Sequence, residues 1–266
     1  NRSKWGIWTY QEYVELYLEA AEILRRHGDV EVMGPAVIDF EFQSILALVN
    51  RKHPTLRFDI VSSLLYVDRR GAPENTQMGL DTVDKVTLLR AIADVGRCSS
   101  SRCWITEVNW PLWEGPHSPA GKTVSVSEGE QADYLVRYFL LALGTGLVER
   151  CFWWRLIARG YGLIAPASDG SLRKRPAWHA MKNLIAQVEG AVLLGRLKSA
   201  EGVYLYHFDR SGDEVVVGWS VTPGGRGELP RPASEVVGRD GDEVKAPAGT
   251  EVPLGPSPCY FALSKP

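Results

Sequence analysis

Glu107 is the residue in this sequence best placed to do chemistry. It closes the run Trp104-Ile105-Thr106-Glu107 and is followed by Val108, Asn109 and Trp110. A β-strand alternates its side chains, so Ile105 and Glu107 are expected on one face and Thr106 on the other, with Glu107 where strand passes into loop. Parallel α/β proteins keep their catalytic groups at that end of their strands. A carboxylate with indole rings close on both sides, each with an apolar face and a polar edge, points to carbohydrate cleavage by paired carboxylates. The chain offers one member of such a pair.

The elements that must position Glu107 follow from periodicity. Residues 9–27 carry Tyr13, Leu16, Tyr17, Ala20, Ile23 and Leu24 at helical spacing, Gly28-Asp29 breaks the pattern, and 30–33 reads as a short buried strand. A helix over 40–50, a strand over 58–67 and a helix over 82–96 capped by Asp81 or Thr82 lead to the Glu107 strand over 103–108. Beyond it lie a helix over 127–147, with Ser127 and Glu130 spaced as a capping box, a strand over 150–156 and a helix over 177–188. After Gly190 the texture changes to short β-type runs at 202–208, 214–219 and 259–264 among Gly, Pro and Asp, which read as a small antiparallel domain.

Strands alternating with helices imply a parallel sheet. A closed barrel of this class needs eight strand–helix units in roughly 250 residues. Residues 1–189 supply about four strands, and the opening Asn1-Arg2-Ser3-Lys4-Trp5-Gly6 leads into a helix with no strand before it. The expected architecture is α/β, the second half of a (β/α)8 TIM barrel over 1–189 followed by an antiparallel β-sandwich over 190–266, with the first four units lying elsewhere. A self-standing open α/β sheet is the alternative.

Composition narrows the partner. At 266 residues and 45% hydrophobic the chain can bury a substantial core, and 30 basic against 32 acidic residues leave a net charge of −2. Nothing in that balance calls for nucleic acid or an anionic membrane, and no stretch approaches the ~18 apolar residues of a membrane span. Secreted, periplasmic and cytoplasmic locations stay open. Cys98 and Cys103 flank a Ser-rich turn and either bridge in an oxidising compartment or remain buried thiols; the cysteine spacing does not resemble a metal site. Neither metal nor organic cofactor is expected.

Met33-Gly34-Pro35-Ala36 after one strand, Tyr66-Val67-Asp68 ending the next, Trp104-Ile105-Thr106-Glu107 on the third and Phe152-Trp153-Trp154 on the fourth resemble the second half of a clan A glycoside hydrolase. The family 39 group, with its β-xylosidases and exopolysaccharide endoglycosidases, is the nearest likeness. The order of these motifs, over most of residues 5–190, carries more than any one of them. The resemblance implies strands five to eight of the barrel, a C-terminal β-sandwich and a retaining mechanism with Glu107 as nucleophile. In such a mechanism a second carboxylate ~5 to 5.5 Å away protonates the departing oxygen. The family's acid/base ends the fourth strand, which would precede Asn1, so the missing half of the barrel is itself an expected partner. The chain departs from the family at Leu64, where many relatives carry a histidine two residues before the tyrosine. Altered specificity, or a degenerate site that binds glycans or supports polysaccharide assembly without cleavage, is the alternative reading.

Tyr66 is expected to donate to the Glu107 carboxylate and hold it ionised. Trp154 would form the sugar-stacking floor, while Trp153, of opposite parity, packs against helices. Asn109 and Trp110 either touch substrate or pack in the loop. Arg155 either pairs with a carboxylate near the site or forms a structural salt bridge. The connection Asp68-Arg69-Arg70-Gly71-Ala72-Pro73-Glu74-Asn75 and the loop of 113–121, with Pro116, His117 and Pro119, lie on the Glu107 face; either could line a glycan groove or be a solvated connection. Arg173-Lys174-Arg175 reads most simply as solvated surface.

Overall fold

The computed structural model describes residues 9–37, 41–66, 71–114, 117–118 and 124–265. The opening Asn1 to Gly6, Val67, Asp68, Arg69, Arg70, Pro116 and Pro119 lie outside the described residues. The chain divides into two compact units. The first draws on Asn1–Asp68, Pro73–Val108 and Leu141–Trp154, the second on Arg69–Ala72, Asn109–Leu140 and Arg155–Pro266.

The first unit is a mixed α/β structure. Helix α1 (Tyr10–Arg25) starts at Thr9, whose hydroxyl accepts from the Glu12 amide while Glu12 accepts from the Thr9 amide. Strand β1 (Met33–Val37), helix α2 (Phe42–Val49), strand β2 (Ile60–Ser63), helix α3 (Thr82–Val95), strand β3 (Cys103–Val108) and, past helix α4 (Glu128–Leu143), strand β4 (Arg150–Trp153) follow in order. The four strands form one parallel sheet in the order β1-β2-β3-β4, with α2 against β1 and α3. This parallel sheet fits part of a barrel. All four β2 residues are buried, and Val61 and Ile105 are fully enclosed. Each such side chain contributes ~1.5–3 kcal/mol of transfer free energy.

Three strands of the parallel sheet differ in extent from those read from the sequence. The first strand runs Met33–Val37 and shares only Met33, itself exposed, with the buried strand expected over 30–33; before it the Val32 amide is taken by the Asp59 carboxylate at 2.9 Å. Gly34 then enters the sheet despite its weak strand propensity, since a Cβ there would lie 2.9 Å from the Phe58 ring and the Tyr13 hydroxyl. The second strand is confined to Ile60–Ser63, Phe58 making a single bridge to Ser99. The fourth stops at Trp153: the Trp154 amide still donates to the Val108 carbonyl at 3.0 Å, but the Arg155 and Leu156 carbonyls accept from Leu163 and Ile164.

The second unit holds residues 128–140 of α4, the ribbon β5 (Ile164–Pro166) and β6 (Leu172–Lys174), helix α5 (Pro176–Val188) and eight further strands. These are β7 (Val192–Arg196), β8 (Val203–Arg210), β9 (Asp213–Ser220), β10 (Arg226–Glu228), β11 (Ala233–Gly238), β12 (Glu243–Val244), β13 (Glu251–Pro253) and β14 (Cys259–Leu263). Six of them form an antiparallel sheet in the order β12-β11-β14-β9-β8-β7, and β10 pairs with β13. Val203, Leu205, Val216, Val236, Phe261 and Leu263 of the sheet share a core with Leu229, Val252 and Leu254. Gly218 and Gly227 permit this close packing, since a Cβ on either would meet the methyls of Leu205 and Leu254. Asn183 of α5 donates to the Gly238 and Arg239 carbonyls, and Arg239 to Asp133 at 2.6 Å.

All four cysteines are free thiols. Cys98 donates to the Val49 carbonyl at 2.9 Å, and burial pushes the Cys103 thiol up to about 12.

Candidate active site

In the first unit the C-terminal ends of the parallel strands bring Tyr66, Glu107 and Trp154 to one edge of the sheet. Tyr66 lies three residues past the end of β2 and is buried; its hydroxyl donates to Glu107 Oε1 at 2.5 Å. This is the hydrogen bond expected from the sequence, and it gives a carboxylate at a strand end a fixed orientation.

The strand that presents Glu107 is not a simple alternation. Trp104 and Ile105 pair with Arg150 and Cys151, but Val108 pairs with Trp153, so three steps along β3 oppose two along β4. That bulge moves the buried series to Cys103, Ile105 and Val108, each 0% exposed, and leaves Glu107 only partly buried. Ile105 and Glu107 therefore do not share the enclosed face that strict alternation assigns them. Bulges re-aim side chains in this way and recur beside active sites. Thr106 crosses back to β2 through the Ser63 carbonyl at 3.3 Å.

The two indoles that flank Glu107 in sequence are engaged elsewhere. Trp104 donates to Glu149 at 2.9 Å, lies under the Arg150 guanidinium and tilts against Phe152. Glu149 itself is held below the usual carboxylate range by Arg102 and by Trp104. Trp110, in the second unit, is 1% exposed, donates to the Gly71 carbonyl at 2.9 Å and meets the rings of Tyr134 and Tyr138 edge-on. The structure places it in packed core, with no free face for a sugar. Trp154 is different, 44% exposed and directly past the end of β4. Trp153 is partly buried, as its opposite parity requires.

Asn109 is partly buried and follows β3 directly. Arg155 is exposed and its Nε donates to the Ile157 carbonyl at 2.9 Å. The structure thus joins Tyr66 to Glu107 and sets Trp154 at the same edge, while Asn109, Trp110 and Arg155 belong to the other unit. His117 is exposed and contacts Arg159 at 2.8 Å.

Two features were not read from the sequence. Arg175 is no solvated cation: it is 0% exposed, donates to the Ala158 and Gly162 carbonyls at 3.0 and 2.6 Å, and pairs with Glu114 and Glu128. Burial lowers its pKa. In the first unit Lys85, 4% exposed, donates to the Tyr66 carbonyl at 2.9 Å and to Gln77 Oε1 at 2.6 Å. Lys85 stands four and seven residues before Leu89 and Ile92, on the face its helix buries, so helical spacing was the signal that could have found it.

Among the described residues no group of three or more His, Cys, Asp or Glu is arranged to hold a metal, and no helix is long and apolar enough to cross a membrane.

No family model matches the chain, and no curated protein sequence matches it. Solved structures do. A GH30 endoxylanase from Clostridium papyrosolvens C71 superposes with a TM-score of 0.55 at 15% identity, over 97% of this chain and 61% of its own. The GH39 enzyme from Xanthomonas axonopodis pv. citri gives 0.58 at 16%, over 97% and 65%. The β-porphyranase of glycoside hydrolase family 86 from the human gut bacterium Bacteroides plebeius gives 0.60 at 12%, over 96% and 52%. Family 39 is one of three families represented at similar identity and is not singled out. The chain spans about three fifths of the length of the first of these structures. The likeness is one of fold: this chain is built on part of a scaffold it shares with solved glycoside hydrolases.

Proposed function

We propose that the chain carries the nucleophile side of a retaining glycoside hydrolase site. The observation that carries this reading is the 2.5 Å hydrogen bond from Tyr66 to Glu107 at the C-terminal edge of a parallel sheet. Glu107 attacks the anomeric carbon, the glycosidic oxygen leaves, and water later releases the sugar from the ester. Tyr66 orients the attacking carboxylate, and Trp154, an aromatic residue 44% exposed past the end of β4, is the one on which the sugar stacks. In this reading β1 to β4 are barrel strands five to eight, the acid/base carboxylate stands on a strand of the other half, and the antiparallel sheet beyond Gly190 is an accessory β-sandwich. The substrate is a poly- or oligosaccharide, and the mechanism needs no metal or organic cofactor.

Activated 2-deoxy-2-fluoroglycosides test the nucleophile alone, because their leaving groups depart without protonation. Incubation with xylosyl, glucosyl and galactosyl members should add one glycosyl mass to the peptide holding Glu107, and Glu107→Gln should abolish it. An adduct on another residue, or none with any of the three, sinks the assignment.

A further inference from the structure

We propose that Lys85 is a positioning residue of the Glu107 site, its ammonium fixing the Tyr66 main chain and so holding the Tyr66 hydroxyl against the carboxylate. The proposal deepens the reading of Glu107 as the site carboxylate and rests on it.

The ladder between β1, β2 and β3 ends at Ser63, yet the residue that must meet Glu107 is Tyr66, beyond the last paired position of β2. Strand pairing therefore does not fix it. The bond from its amide to the Leu64 carbonyl, at 3.2 Å, is local, and it is the Leu64 amide, donating to the Val37 carbonyl of β1 at 3.0 Å, that makes the last contact with the sheet. Lys85 supplies a tertiary restraint on the Tyr66 main chain itself, donating to its carbonyl at 2.9 Å from a helix whose own start is fixed by the Asp81 and Asp84 capping box. The same turn holds the connection a second time, through the Thr82 hydroxyl and the Pro73 carbonyl at 2.6 Å. An ammonium so enclosed is costly unless its donors are used, and a surface lysine could be left in water at no such cost. Its donors are used on the main chain that carries the orienting hydroxyl and on Gln77. A catalytic carboxylate demands placement within about 0.5 Å, which makes the support of Tyr66 part of the site.

The test is made by NMR on the 266-residue chain. In the wild type the Lys85 ammonium protons are expected to exchange slowly and to show coupling through the hydrogen bond between Nζ and the Tyr66 carbonyl carbon. The Tyr66 hydroxyl proton, identified by its loss in Tyr66→Phe, is expected as a slowly exchanging downfield signal. Lys85→Met should shift or erase that signal in a chain that still melts cooperatively, and Lys85→Arg should retain it. An ammonium exchanging as fast as surface lysines, or a Tyr66 signal unmoved in Lys85→Met, overturns the proposal. If Lys85→Met does not fold, the wild-type exchange and coupling decide alone. None of these readouts needs turnover, so a failure of fluoroglycoside labelling would refute the glycosidase reading and leave the spectroscopic result standing.

Discussion

Tyr66 and Glu107 meet across two strands, and the weight of that contact comes from its charge. A hydrogen bond onto a carboxylate is worth ~1.5–3 kcal/mol. In an active protein Tyr66→Phe is therefore expected to lower kcat roughly 10- to 100-fold with little change in KM, since the hydroxyl orients the attacking group and does not hold the sugar. A rise in KM at unchanged kcat would instead make Tyr66 a substrate contact. The tryptophans separate in the opposite sense. Trp110→Ala removes a core ring and should cost ~3–5 kcal/mol in chemical denaturation. Trp154→Ala, at a position 44% exposed, should leave stability within about 1 kcal/mol and weaken glycan binding measured by calorimetry. Equal destabilisation by both would remove Trp154 from the site. At this scale the sequence is legible in its chemistry, as in the hydrogen bond from Tyr66 to Glu107, and less so in its parity, which the β3 bulge breaks. Spacing puts Lys85 on the buried face with Leu89 and Ile92 but does not name its acceptors, and the sequence is silent on the burial of Trp110, whose partners lie more than twenty positions away.

At the scale of elements, helix starts were written most clearly, because capping is local: Thr9 with Glu12, Asp81 with Asp84 and Ser127 with Glu130 all use side chains three apart. Strand limits were not, because the partners that set them are distant. Asp59 shows why. Its carboxylate joins the start of β2 to the Val32 amide and to Arg25 and Arg57 at 3.0 and 2.9 Å, thereby fixing where β1 begins. Burial pushes its pKa up, but the Val32 amide and then the two arginines outweigh it and hold the group below the usual aspartate range. A depressed folded pKa stabilises the native state fully above the ordinary aspartate value, and the contribution is lost as pH falls through the depressed one. The stability gap between wild type and Asp59→Asn, followed by urea denaturation, should thus be widest at neutral pH and narrow in acid. A gap constant with pH would deny Asp59 this ionic role. The bulge in β3 escaped the pattern for a related reason: a register change against β4 has no signature in the β3 residues themselves.

At the scale of the molecule, the four-stranded parallel sheet has β1 and β4 at its edges, whereas a closed barrel of this class uses eight strands and leaves none. The chain matches 61% of the length of a solved GH30 endoxylanase. Under the proposed reading that geometry divides the chemistry. Attack by Glu107 belongs to this chain, and protonation of the leaving oxygen belongs to a carboxylate on the barrel's other half. One carboxylate cannot perform both steps on an unactivated glycoside, and general acid catalysis alone is typically worth ~10²–10⁴-fold. The 266-residue chain is therefore expected to be labelled at Glu107 by an activated fluoroglycoside, yet to release no reducing ends from xylan or a galactan. Joined to the other barrel half, it should cleave one such glycan, with activity lost both in Glu107→Gln and on replacing the partner carboxylate. Turnover of an unactivated glycan by this chain alone, abolished by Glu107→Gln, would show that both carboxylates lie within it and would break the division proposed here. Labelling without cleavage in the joined protein would favour a glycan-binding role on a glycosidase scaffold, because the nucleophile would then be present without its acid.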